Sequence, residues 1–151
     1  MEYLYIGVLY NMILGGGPSS MLMKDIRDDK NMVYYINSSF VKMDSLLVIN
    51  SAFNYENKDC IIEGTKKCIQ EIINGNFSDE MLNRAKCEFI SILNGALDSP
   101  YNIINVMLGQ ILFNTPDIEE RKEKVLSITK EDIQEFGKKI NMDTIFVLRG
   151  E

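Results

Sequence analysis

The chain contains no histidine, no tryptophan and only three prolines and three cysteines in its 151 residues. Without histidine there is no imidazole to hold a zinc ion, to serve as a base at neutral pH, or to activate a serine or cysteine nucleophile. Cys60, Cys68 and Cys87 are odd in number and form no Cys-x-x-Cys pair, which excludes a disulfide scaffold. Cys60 and Cys68 lie two turns apart on one predicted helix, roughly 12 Å and too far to bridge. All three read as small buried hydrophobes in a reducing compartment. No apolar run approaches the ~20 residues of a membrane span. Met1-Glu2 is acidic where a secretory leader is basic. A cytoplasmic chain with no membrane contact is expected. Positive charge is also short. Lys and Arg number 16 against 22 Asp and Glu, a net charge of -6, and the bases are scattered among acids. That distribution excludes a phosphate-binding surface for nucleic acid.

What remains has the composition of an ordinary globular protein, at 46% hydrophobic and 25% charged residues, and its length suits one domain over residues 1–151. Apolar residues at helical spacing predict a helix over 2–14, ended by Gly15 to Pro18. Ser19 or Ser20 can cap a short helix to about Asp29, with Leu22, Met23 and Ile26 inward. Val33 to Val41 and Leu46 to Phe53 read as two strands of an antiparallel hairpin. Helices follow over 56–73, with a stop at Gly75, and from the Ser78 cap to about Leu97, with Leu82, Ala85, Phe89, Ile92 and Leu93 inward. Further helices are predicted from Pro100 to Phe113, from Pro116-Asp117 to Ser127, and from the capping-box pattern at Thr129 to Ile140. Thr144 to Leu148 reads as a short buried strand. The order α-α-β-β-α-α-α-α-α-β defines an α+β fold, a small and mostly antiparallel sheet packed by several helices. Three strands make a thin sheet whose edge needs cover.

One passage suggests chemistry: Gly15-Gly16-Gly17-Pro18, Ser19-Ser20, Ile26-Arg27, and Tyr34 seven residues after the arginine. Each part also has an ordinary reading. The glycines make a turn, since glycine tolerates positive φ and proline cannot continue a helix. Arg27 beside Asp25, Asp28 and Asp29 belongs to a solvated face, and Tyr34 is a strand aromatic. As a phosphate loop the run fails, because no Lys-Ser/Thr follows and no strand precedes it.

Taken together, Leu9-x-x-Met12-Ile13-Leu14-Gly15-Gly16-Gly17-Pro18-Ser19-Ser20-Met21-Leu22 and Ile26-Arg27-Asp28-Asp29-Lys30-Asn31-Met32-Val33-Tyr34-Tyr35 resemble the C-terminal half of the insulinase/pitrilysin family of zinc peptidases, which includes the mitochondrial processing peptidases. Asp28 stands where that family usually has Glu, and Asn31-Met32-Val33 replaces a more usual Gly-Leu-Ala. The similarity extends through Gly75-x-Phe77-Ser78-Asp79-Glu80 and Asp98-Ser99-Pro100 to Thr129-Lys130-Glu131-Asp132. The ending Asp143 to Glu151 looks most like bacterial YmfF-type members.

The resemblance implies a half-domain of the LuxS/mitochondrial-processing-peptidase-like metallohydrolase fold. In that fold a strand precedes the first helix, so this chain is expected to lack its first strand and to be a fragment of a longer one. The family's zinc motif, His-x-x-Glu-His, lies in the other half, which implies zinc in a complementary domain or partner subunit and none here. Carried over, Arg27 and Tyr34 are substrate-binding residues. Arg27 would hold a peptide carbonyl through its planar fork, and Tyr34 would donate to the carbonyl oxygen as negative charge develops. Tyr35 is the fallback, placed by alternation on the face opposite Tyr34. The implied function is a non-catalytic, substrate-binding domain whose partners are a peptide and a His-bearing peptidase domain or subunit, with self-association along an open sheet edge as a further expectation. The alternative is an inert structural or interaction domain of an inactive family member.

Overall fold

A computed structural model describes residues 2–96 and 98–149. Helix α1 (Glu2–Leu14) runs through the middle of the domain. It packs against β1 (Val33–Val41) and against α2 (Lys58–Ile73), α3 (Asp79–Gly95), α5 (Ile118–Ser127) and α6 (Lys130–Gly137). Leu9, Tyr10 and Leu14 of α1 have no exposed surface, as expected for a helix covered on several sides. Around them lie Leu22, Ile26, Ile36, Cys68, Ile72, Val125, Ile133 and Phe136, forming one continuous core.

The helix ends follow from local chemistry. Ser78 caps α3 by accepting from the N–H of Met81 at 3.2 Å, and Asp117 caps α5 by accepting from the N–H of Glu120 at 2.8 Å. Thr129 and Asp132 form a reciprocal capping box at the start of α6. Gly75, at φ +77°, ends α2 with its N–H on the carbonyl of Ile72, while the N–H of Asn76 reaches Glu71. A 3₁₀ turn over Tyr55–Asn57 precedes α2, so that helix begins at Lys58 and not at Glu56. Helix α6 stops at Gly137, short of Ile140.

The hairpin is present with Val41 opposite Leu46 across a turn at residues 42–45. The predicted third strand is not. Among the described residues the sheet consists of β1 and β2 (Leu46–Phe53) alone, and Thr144 to Leu148 joins no ladder. Nor is the segment buried: Phe146 is 84% and Leu148 86% exposed. Its β-branched and aromatic residues favour an extended backbone, but a strand exists only by pairing, and no neighbouring ladder meets it here. Ile92 is likewise exposed, on the outer side of α3. Two of the three cysteines depart from the buried reading, since Cys60 and Cys87 are exposed and only Cys68 is in the core. No helix among the described residues is long and apolar enough to cross a membrane.

Candidate functional site

The passage from Gly15 to Tyr34 is built of three devices. The first is the glycine turn. The N–H groups of Gly15 and Gly16 both donate to the carbonyl of Asn11, at 2.9 and 2.8 Å, and the carbonyl of Gly15 accepts from the N–H of Ser38 in β1 at 3.0 Å. The end of α1 is thereby clasped to the strand. A Cβ on Gly15 would lie 2.7 Å from Ser38 Oγ and 2.9 Å from Leu22 Cδ1. Close approach therefore requires glycine at this position. The positive-φ explanation fails, because among the described glycines only Gly75 has positive φ.

The second device is a π-helical stretch, Met23–Asp28, in place of the capped α-helix expected there. The N–H of Asp29 reaches back five residues to Lys24 at 2.9 Å, and no side chain caps the start. Ile26 anchors this wide turn in the core at 1% exposure, against Gly64 of α2. Arg27, next in sequence, is turned out to solvent. Among the described residues its guanidinium makes no hydrogen bond or ion pair, although Asp25, Asp28 and Asp29 are near in sequence.

The third device brings Tyr34 to the surface. Asn31 takes the left-handed conformation at φ 51°, which asparagine tolerates, and reverses the chain into β1. Asn57 pins this bend by donating from Nδ2 to the carbonyl of Met32 at 3.1 Å. The register then slips: Val33 pairs with Phe53 and Tyr35 with Ala52, leaving Tyr34 as the extra residue of a β-bulge. Simple alternation would group Tyr34 with the buried Ile36 and Ser38. With the bulge, Val33 turns inward, and both Tyr34 and Tyr35 are exposed. Tyr35, the fallback expected on the face opposite Tyr34, is thus exposed as well. The Tyr34 hydroxyl donates to Asn54 Oδ1 at 2.9 Å, just past the end of β2.

The larger hollow lies elsewhere. It has a volume of about 240 Å³ and runs between the turn from Gly17 to Ser20 and the face of α3 that carries Met81, Arg84 and Glu88. Ser20 Oγ is buried on this side without a partner among the described residues. Glu88 Oε2 is 3.8 Å from the position of a Cβ on Gly17, so the turn faces a carboxylate where a phosphate site needs donors. Arg84 is already paired with Glu80 at 3.2 Å. A second hollow of about 180 Å³ is lined by Asp25, Ile26, Asp29, Lys30, Gly64 and Lys67. Arg27 and Tyr34 line neither one and sit on open surface.

The remaining candidate for covalent chemistry is quiet. Burial pushes the Cys68 thiol up from an ordinary 9.0 to about 12, and the neighbouring Asp25 carboxylate adds to the shift. The thiol donates to Asp25 Oδ2 at 3.7 Å. A protonated, buried sulfur is no nucleophile. For a metal, the donors do not fit either. Among the described residues no three His, Cys, Asp or Glu side chains gather closely enough to hold an ion, and the chain has no histidine to supply the nitrogen ligands of a zinc site.

A small antiparallel hairpin packed on a central helix and wrapped by further helices, with an arginine and a tyrosine exposed on its surface, defines an α+β domain. The model of the peptidase M16 inactive domain matches residues 2–88, more than half of the chain and the whole of the Gly15–Tyr34 passage. The chain belongs to the M16 (insulinase/pitrilysin) peptidase family, in its inactive C-terminal domain. It is 25% identical over 143 residues to "Probable inactive metalloprotease YmfF" of Bacillus subtilis, covering 94% of this chain and 34% of that protein. Its fold is similar to that of a conserved protein from Enterococcus faecalis V583, with a TM-score of 0.86 and 20% identity over 90% of this chain and 32% of the other. It is also similar to the peptidase M16 inactive domain from Pseudomonas fluorescens, with a TM-score of 0.76 and 22% identity over 93% of this chain and 34% of the other. The chain spans about a third of the length of these relatives.

Proposed function

We propose that this chain is the substrate-facing, non-catalytic domain of an M16 zinc peptidase, and that Arg27 and Tyr34 contact the peptide in a chamber completed by a second domain or subunit. In this reading the zinc and its histidines belong to that second part, and the 151 residues are one piece of a longer protein or assembly. Arg27 binds a backbone carbonyl of the peptide, and Tyr34 donates a hydrogen bond to a carbonyl oxygen that gains negative charge during cleavage. The observation that carries the reading is the bulge at Tyr34, which brings a tyrosine out of the buried face while Arg27, seven residues earlier, is left without a charge partner among the described residues. Bulges recur where a side chain must be re-aimed.

The test is reconstitution of peptide cleavage with the His-bearing part, followed by Arg27→Ala and Tyr34→Phe. Each should lower turnover while the domain's melting temperature stays within a degree or two. Unchanged cleavage sinks the assignment.

A second reading has one observation in its favour. The Tyr34 hydroxyl is already engaged by Asn54, which suits an inert interaction domain in which the tyrosine merely closes the hairpin. Self-association through the open hairpin edge fits either reading, because a two-stranded sheet leaves backbone donors and acceptors unpaired. Sedimentation of the isolated chain as a strict monomer at high micromolar concentration would count against it.

A further inference from the structure

Helix α4 (Pro100–Phe113) carries no charged residue, and it barely touches the rest of the domain. Val106 packs against the core, and Gly109 and Gln110 are half-covered. On the other side Tyr101, Ile104, Met107, Leu108, Ile111 and Leu112 are all exposed, Ile111 to 76%. At 3.6 residues per turn these six side chains cover about 140° of the helix circumference, opposite Val106. Soluble surfaces scatter such residues singly, and a continuous apolar stripe of this kind marks a docking face.

We infer that this stripe seats a protein surface, and that the occupant is the remainder of the M16 peptidase, apolar at its centre. This deepens the reading under Proposed function and rests on it. Two observations select that occupant. First, the chain accounts for only about a third of its relatives' length, so two thirds of the polypeptide in those proteins is available to lie against this domain. Second, the charges around α4 suit a bilayer poorly. No Lys or Arg occurs between Asp98 and Glu120. Arg121, the nearest base, turns back to the carbonyl of Pro116 and to Thr115 Oγ1, and Lys122 is paired with Glu119. Helices that lie on membranes carry cationic residues along the polar border of the apolar face, and α4 has none. A second copy is also disfavoured. Side by side in antiparallel fashion, two α4 helices would bring the Asp98 end of one to the Asp117 end of the other, acid against acid.

The experiment uses the full chain and, as probe, a purified domain from the same genome that carries the His-x-x-Glu-His motif. Binding is followed by sedimentation velocity and calorimetry. The wild-type chain should bind. Ile104→Asp and Ile111→Asp should weaken binding at least tenfold with unchanged circular dichroism and melting temperature, and the milder Leu112→Gln should weaken it severalfold. Arg27→Ala should bind within twofold of wild type while losing turnover, which separates failure of docking from failure of the Arg27 assignment. Absence of wild-type binding, or equal binding by the α4 variants, overturns the proposal. So does a result in which those variants lose self-association, or lose binding to phosphatidylglycerol vesicles, in place of binding to the domain.

Discussion

The hydroxyl of Tyr34 donates to Asn54 Oδ1 at 2.9 Å, linking the bulge of β1 to the residue that follows β2. The bond crosses the end of the hairpin on the exposed side and holds the phenol in one direction. Removing it frees the ring without exposing any core. A neutral hydrogen bond of this kind contributes about 1 kcal/mol, near fivefold in a rate or binding constant. A phenol has a single O–H, so Tyr34 must release Asn54 before it can donate to a substrate carbonyl. Asn54→Ala removes that competition and should raise turnover of the reconstituted peptidase by up to about fivefold, whereas Tyr34→Phe lowers it. Equal turnover for Asn54→Ala and wild type would show that the bond does not compete with substrate.

Gly15 is required by space. Its Cβ position lies within 3 Å of both Ser38 Oγ and Leu22 Cδ1, so Gly15→Ala must push β1 from the end of α1 or displace Leu22. Overpacking at such a site costs about 1–3 kcal/mol. The melting temperature should fall by several degrees, and Gly15→Ala/Ser38→Gly should recover part of the loss. Gly17→Ala, whose Cβ would meet only Glu88 Oε2 at 3.8 Å, should be nearly neutral.

The turns and caps that form α2, α3, α5 and α6 were legible in the sequence because they depend on residues within one helical turn. Ser78, Asp117 and the pair Thr129 and Asp132 do in the structure what their chemistry predicts. The hairpin was legible for a similar reason, as two apolar runs separated by a short polar turn. What escaped depends on partners distant in sequence. Thr144 to Leu148 has strand composition but no ladder to join. The bulge was hinted at by the unbroken run Val33-Tyr34-Tyr35-Ile36, which cannot alternate, but its position is set by pairing with Ala52 and Phe53. The role of Asn54 required the folded hairpin. Arg27 and Tyr34 themselves were found through family resemblance, since spacing alone left the ordinary readings open.

The capping box offers a stability test remote from the site. Thr129 Oγ1 accepts from the N–H of Asp132 at 3.2 Å, and Asp132 Oδ2 accepts from the N–H of Thr129 at 2.8 Å. Thr129→Ala should cost about 1 kcal/mol in denaturant unfolding. Thr144→Ala, in the unpaired segment, should cost far less.

The cysteines should separate by reactivity and by pH. Cys60 and Cys87 are exposed and should react with a thiol reagent in the native chain at pH 8, while Cys68 should react only on unfolding. Burial raises the Cys68 pKa from 9.0 to about 12, so the folded state holds this proton more tightly than the unfolded one. The associated stability is fully present below pH 9 and is lost as the pH rises from about 9 to about 12. Melting temperatures measured over that window should fall more steeply for wild type than for Cys68→Ala. Parallel curves would contradict the assignment.

In the proposed function Arg27 and Tyr34 serve a peptide chamber completed elsewhere. The direct measurement is steady-state cleavage of a fluorogenic peptide by the chain combined with its His-bearing counterpart, for wild type, Arg27→Ala and Tyr34→Phe. A hydrogen bond to a charged group contributes about 1.5–3 kcal/mol, which corresponds to a fall of roughly 10- to 150-fold in kcat/KM for each variant. That fall, with complex formation intact, is the predicted result. Cleavage at the wild-type rate by both variants would contradict it and leave the domain as a scaffold.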